Sequence, residues 1–421
     1  MLVDRTMWSG RGRESEGTID SITVTNIHLL LTGVLVTNRG VSELYFDRAP
    51  KNNLSDLYDY RNEYDNLLNS LNKDARLVVI KGLRRMGKTS LLLTALSGLK
   101  RPYMIIDGRS FIHLASISTA DFTRSFEKVL NQFLVEHQSL RKRILSALGS
   151  INGVEVGVDH VSLSWGGRKE EQVDLSAIFD VLGKEAKEQH MQFVIAFDEA
   201  QEFRRLVGLS LTNLIAHIYD YVHGLQIVIT GSEIGLVDQL LDLENPKAPL
   251  YGRHLTTIAL HRLSDEESRD FLRKGFAQIK VPVDDNFVDK AVKSLDGIIG
   301  WLTYLGAEAS EKGKIDEKFV DDVIDKAAIL AAEEYKRFVE LRYQARPRYN
   351  NIMESLADTK RSWSDLKKAC ELLEGRNLAD KIFNDLLSNL CDAGFVLKDD
   401  SNYDIADPLV REAVKNKLTK K

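Results

Sequence analysis

Residues 82–89 read Gly82-Leu83-Arg84-Arg85-Met86-Gly87-Lys88-Thr89 and fit the phosphate-loop pattern G-x-x-x-x-G-K-S/T at every fixed position. An apolar, β-branched run, Leu77-Val78-Val79-Ile80, precedes the octet. A good helix former, Ser90 to Leu96, follows it and stops near Gly98. Strand, glycine-rich turn and helix form the context such a loop requires. The two glycines let the backbone curl until its N–H groups face an anion, and the helix N-terminus adds the positive end of its dipole. Lys88 can reach the β- and γ-phosphates of a nucleotide, and the Thr89 hydroxyl can bind Mg²⁺. The candidate phosphate contacts are therefore Gly82, Leu83, Arg84, Arg85, Met86, Gly87, Lys88, Thr89 and Ser90. Arg84 and Arg85 can alternatively face the sheet edge or a partner.

About 110 residues later, Phe193-Val194-Ile195-Ala196-Phe197 runs into Asp198-Glu199. An apolar strand ending in two acids supplies one carboxylate for Mg²⁺ and a second to orient an attacking water. The expected assignment is Asp198 to the metal and Glu199 to the water. The next strand candidate ends Thr230-Gly231-Ser232. Thr230, with Ser232 second, is the expected polar contact to the γ-phosphate. Arg253, in Tyr251-Gly252-Arg253, is the expected arginine that stabilises charge on the transferring phosphoryl group, in cis or from another subunit. The implied ligands are ATP and Mg²⁺.

The spacing of apolar runs predicts an α/β class built on a parallel sheet. Strands are expected over 76–81, 102–106, 192–197, 226–230 and 256–260, with helices over 54–71, 120–136, 174–189 and 209–223. Near-continuous apolar strands alternating with helices indicate a sheet covered on both faces. Val154 to Trp165 alternates and turns at Asp159-His160, which reads as an inserted β-hairpin, decorative rather than a binding ribbon. After Arg262 strand patterning stops, and Ser264 to Glu267 has capping-box spacing ahead of a helical region. From about Gln344, helices over 349–357, 363–372 and 378–393 precede a hairpin, the plan of a winged helix-turn-helix. The expected domains are a phosphate-loop core at 45–262, a helical lid at 263–343 and a winged helix at 344–421. The polar, glycine-rich stretch within 1–44 reads as a disordered or mis-assigned extension.

Five segments together resemble the archaeal ATPase family of the AAA+/STAND group: Asp59-Tyr60-Arg61-Asn62-Glu63, the octet with Ser90-Leu91, Asp198-Glu199-Ala200-Gln201, Pro249-Leu250-Tyr251-Gly252-Arg253, and Gly297-Ile298-Ile299-Gly300-Trp301-Leu302. The resemblance spans about 46–414. It implies an ATPase core, a helical lid and a C-terminal winged helix, with Arg61 to Glu63 near the adenine. Ile299 stands where the family usually has proline.

The resemblance leaves rival functions: a regulatory ATPase switch or a DNA-binding initiator-like ATPase. The net charge of −5 carries no global signal for nucleic acid. Residues 346–421 hold 14 basic and 13 acidic side chains, and the third winged helix offers Lys381 against Asp380, Asp385 and Asp392. That balance favours a protein partner through the winged helix or lid over DNA, with oligomers open. A small-molecule phosphotransferase finds no substrate motif, and a helicase reading finds no second motor domain. Two cysteines, Cys370 and Cys391, exclude a disulfide scaffold and suit a reducing cytoplasm. No apolar run nears the ~20 residues of a membrane span.

Overall fold

A computed structural model describes residues 45–164, 173–232, 234–312 and 315–419. The expected extension at 1–44 and Trp165 of the hairpin lie outside them. In chain order the described strands are β1 (Leu77–Lys81), β2 (Tyr103–Asp107), β3 (Ile117–Ser118), β4 (Val154–Val156), β5 (Val161–Leu163), β6 (Phe193–Asp198), β7 (Leu206–Val207), β8 (Leu225–Gly231), β9 (Thr256–Ala259), β10 (Arg361–Ser362), β11 (Val396–Asp399) and β12 (Asn402–Ile405). The main sheet has the order β2-β6-β8-β1-β9 and is parallel throughout.

Side chains alternate across a strand, so each central strand feeds two cores. Leu77 and Val79 of β1 join Ile195, Phe197, Ile227 and Ile229 on one face. Val78 and Ile80 join Val194, Ala196, Val228 and Ile258 on the other. Burying an aliphatic side chain of this size stabilises by roughly 1.5–3 kcal/mol, which is why these strands read as continuous apolar runs. All five expected strands are present, within one or two residues.

Local patterning misplaces several elements. The helix expected from residue 54 begins only at Arg61, because Asp59 and Tyr60 adopt left-handed backbone, φ +55° and +42°. Tyr60 is thereby buried, and its hydroxyl donates to the His261 carbonyl at 3.0 Å. Helices at Gln138–Leu148, Ile234–Leu241 and Pro408–Lys415 were not expected. The hairpin β4–β5 forms as read.

Helices Asp265–Gln278, Asp285–Leu295 and Ile299–Lys312 lead into the long helix Glu317–Glu340. The winged helix follows: Arg346–Ala357, Trp363–Glu374, Asp380–Asp392, the sheet β10-β12-β11 and Pro408–Lys415. Phe395 ahead of β11 packs edge-on against Tyr335 and at a tilt against Phe338 of the long helix, with ring centroids 5.3 and 5.1 Å away. Ala413 packs between Ala328 and Ala332 of the same helix. Lid and winged helix therefore share one core rather than two.

Candidate active site

Parallel register brings three strand tips together. Asp107 at the end of β2 sits opposite Asp198 at the end of β6, and β8 flanks β6 on the other side. Asp198 is 1 % exposed, and both its oxygens are engaged. Oδ1 accepts a short bond from the Thr230 hydroxyl. Oδ2 accepts from the Thr89 hydroxyl at 2.9 Å and from Nη2 of Arg109 at 2.9 Å. Burial pushes the Asp198 carboxyl above its ordinary range, and Arg109 opposes that push.

Glu199 leaves β6 in left-handed backbone, φ +48°, a conformation that costs energy and clusters at functional sites. Its N–H donates to Thr230 Oγ1 at 3.1 Å. Its carboxylate accepts from Ser232 at 2.5 Å and Gln201 at 2.6 Å. Burial alone would raise this carboxyl. The charge of Lys88 and the two hydrogen bonds prevail and hold it at about 2. The group is thus an anion at every physiological pH, aimed by two donors.

The phosphate loop turns through Gly87 at φ +82°, where an L side chain would be strained. Lys88 is buried at the start of helix Lys88–Leu99, and its ammonium donates to the Leu83 carbonyl at 2.8 Å inside the loop. Tyr60 and Ile299 flank Gly87: their nearest carbons stand 3.6 and 3.9 Å from where a side chain would begin on it. Ile299 thus makes an apolar contact with the loop in the place where the family usually has proline.

The other side of the loop faces the lid. Arg85, left-handed at φ +63°, gives both terminal nitrogens to Glu334 of the long helix at 3.0 and 2.5 Å. Its guanidinium lies 3.8 Å from the Trp301 ring centre, a cation–π distance. The Arg85 carbonyl accepts from Gly300 N at 2.9 Å. The Trp301 indole in turn donates to both oxygens of Asp407, at 3.0 Å each, and Asp407 caps the last winged helix. Arg84 also approaches Glu334, at 3.9 Å. The winged helix touches the acid side too: the Gly394 position lies against the Ser232 carbonyl, and Asp392 accepts from Gln239 at 2.5 Å.

Several expected site residues sit elsewhere. Arg85 faces Glu334, not the phosphate cradle, because a half-buried carboxylate on the lid claims it. The Ser90 hydroxyl accepts from Lys51 N at 3.1 Å and so serves the incoming chain. Arg61 is exposed and pairs with Asp65 at 3.1 Å, while its neighbour Tyr60 takes the position beside the loop. Thr230 is fully buried and spends its hydroxyl on the acid pair, which makes it a positioning residue rather than a phosphate contact. Arg253 binds Asp220 bidentately, at 2.9 and 2.5 Å. Asp220 lies in the last turn of helix Leu211–Tyr221, next to Tyr219, whose carbonyl accepts from Arg76, just ahead of β1, at 2.5 Å. Arg253 is therefore at the N-terminal edge of the sheet, and the phosphate loop follows the C-terminal end of β1, so action on its own nucleotide is excluded in this arrangement. Arg109 was missed by sequence reasoning. Its signal is an arginine two residues beyond a strand tip, recognisable only once β2 is known to border β6.

Comparison with known proteins follows the same lines. Residues 57–305 match the model of an ATPase domain predominantly from Archaea. Residues 343–406 match the C-terminal winged helix-turn-helix domain of MCM proteins. Among solved structures, the Walker-type ATPase paby2304 of Pyrococcus abyssi is 28% identical, covering 88% of this chain and 100% of that one, with a TM-score of 0.73. The ORC2 protein of Aeropyrum pernix, in ADPNP and ADP complexes, shares the fold at 13% identity and a TM-score of 0.52, over 89% of this chain and 97% of that one. No curated protein matches. A complete phosphate loop, an aimed acid pair and a family match over more than half the length agree: this chain belongs to the family of ATPases found predominantly in Archaea, and it carries a C-terminal winged helix.

Proposed function

We propose that the protein hydrolyses ATP with Mg²⁺ and works as a regulatory switch whose lid and winged helix respond to the nucleotide. The donor set fits the metal. The Thr89 hydroxyl and the Asp198 carboxylate lie 2.9 Å apart, both oxygen ligands suited to a hard divalent cation. When bound, Mg²⁺ would neutralise charge on the β- and γ-phosphates. Lys88 would bind the same phosphates, Glu199 would orient the water, and Thr230 and Ser232 would hold the two acids in place.

The observation that carries the switch is the chain Arg85–Glu334 and Trp301–Asp407. It ties the phosphate loop to the lid and the lid to the winged helix. A change in the loop has a direct mechanical route to both. The test is calorimetry of Mg·ATP binding. Lys88→Ala should lose most of the affinity, and unchanged affinity would falsify the assignment. Arg253, at the far edge of the sheet, suits action on the phosphates of a second copy. Recovered turnover on mixing Arg253→Ala with Lys88→Ala chains supports that role, and parent turnover in Arg253→Ala alone makes the arginine structural.

The match to an MCM winged helix supports a second reading, a DNA-binding ATPase. The acidic third helix weighs against phosphate contact there. Duplex-DNA anisotropy at low salt decides, since phosphate contacts weaken steeply as salt rises.

A further inference from the structure

We propose that Arg109 is a catalytic arginine supplied in cis, moving from Asp198 to the γ-phosphate when nucleotide and metal bind. The inference rests on the ATP reading above. Three observations carry it. First, the Arg109 guanidinium is shared between two carboxylates. Asp107 Oδ1 accepts from the Arg109 N–H at 2.9 Å, and the same carboxylate accepts from Nε at 2.9 and 3.0 Å. Nη2 lies 2.8 Å from Asp107 Oδ2 and 2.9 Å from Asp198 Oδ2, so losing the Asp198 contact leaves the guanidinium anchored on Asp107 with one edge open. Second, the Asp198 oxygen it holds also accepts from Thr89. Thr89 and Asp198 are the residues whose oxygens suit Mg²⁺. A divalent cation and a guanidinium cannot share that oxygen, because their charges repel and their donors compete for the same lone pairs. Third, the mounting is close and open. A Cβ on Gly108 would stand 2.5 Å from the Glu199 carbonyl, so only glycine lets this turn approach the acid pair. Yet the Arg109 side chain is 43 % exposed, on the mouth of the site, where it can be reached by a ligand.

Displaced from Asp198 but still held by Asp107, the guanidinium has one strong anion to turn to, the terminal phosphate beside Lys88. In the reaction, the water oxygen forms a bond to the γ-phosphorus and the bond to the bridging oxygen breaks. ADP keeps that electron pair, inorganic phosphate forms, and one proton is released to solvent. Charge grows on the equatorial and bridging oxygens in the transition state, and Arg109 donates to them there. Arg253 is bound to Asp220 at the opposite edge.

The test uses binding as well as turnover. Mg·ADP with aluminium fluoride mimics the transferring phosphoryl group. Arg109→Ala should bind Mg·ADP within about threefold of the parent. It should bind the aluminium fluoride complex on the order of 10²-fold more weakly, and hydrolyse ATP more slowly by a similar factor. Asp107→Asn, which loosens the anchor without removing it, should show a smaller loss of the same kind, about tenfold, and carries the test should Arg109→Ala not fold. Equal affinity of parent and both variants for the fluoride complex overturns the proposal. So does a variant whose only change is tighter Mg²⁺ binding, since Arg109 would then be a mere counter-ion for Asp198. A parent that fails to bind Mg·ADP at all brings down the ATP reading itself, and Arg109 with it.

Discussion

The two sides of the phosphate loop are built on different principles. On the acid side every candidate group is in the last two residues of a strand or within two residues of its end: Asp107 and Arg109 at β2, Asp198 and Glu199 at β6, Thr230 and Ser232 at β8. Once the parallel sheet has its order, register alone assembles them. On the lid side Arg85 meets a partner 249 residues away, and Trp301 meets one 106 residues away. Those contacts exist only because the lid and winged helix dock. A sheet edge holds chemistry in a fixed geometry. A docked ion pair can be exchanged for another anion, which suits a switch.

The sharpest way to break that contrast is at Glu199. Glu199→Gln keeps the shape and the bonds from Ser232 and Gln201 but removes the charge. Hydrolysis should slow by on the order of 10²-fold or more while ATP affinity holds. Stopped-flow nucleotide binding beside steady-state turnover separates the two. Parent turnover in the variant means the acid pair does not orient the water.

The same contrast explains what was legible in the sequence. The octet and the Asp198-Glu199 pair carry their chemistry in local order, and the strands are buried on both faces, so their apolar runs survive every tertiary detail. Arg109 was missed because its meaning depends on strand order, which no local pattern encodes. The contacts of Glu334, Trp301 and Asp407 with one another's elements give no local sign: a glutamate mid-helix reads as a solvated face until Arg85 arrives. The last helix did have a signal, Asp407-Pro408, an N-cap followed by proline at the first helical position. The helix expected from 54 failed at Asp59 and Tyr60, where burial of the Tyr60 ring beside Gly87 overrides propensity.

On the lid side the largest effect belongs to Glu334. The opposing charges of Arg85 and Arg84 hold this carboxyl below its ordinary range against burial, which alone would raise it. The Glu334 and Arg85 side chains are each 22 % exposed, so the pair lies between a surface pair and a fully buried one. Glu334→Gln should cost about 2 kcal/mol in chemical denaturation, chiefly by leaving Arg85 uncompensated. It should also speed proteolysis between the long helix and the winged helix, where Tyr343 is exposed. A loss no greater than that of Lys290→Ala, which breaks the exposed pair with Asp321, would mean that the loop and the lid are not coupled through this contact.

The smallest effect is a pH dependence set at Asp407. Burial pushes its carboxyl above the ordinary aspartate range, and the like charge of Glu334 adds to that. Arg85, the Trp301 indole and the Leu409 N–H pull the other way without prevailing. The folded chain therefore keeps this proton to higher pH than the unfolded chain does. The stability it contributes is fully present below the ordinary aspartate pKa and is lost as pH rises through the raised value. Asp407→Asn fixes the group in its neutral form, still caps the helix and still accepts from Trp301 through one oxygen. The variant should match the parent near pH 4 and exceed it by up to about 1 kcal/mol at pH 7, in denaturation curves at constant ionic strength. A difference independent of pH would mean that folding leaves the Asp407 carboxyl where the unfolded chain has it, and a variant weaker than the parent at pH 7 but equal to it in acid would mean that the Arg85 guanidinium outweighs burial at this contact between lid and winged helix.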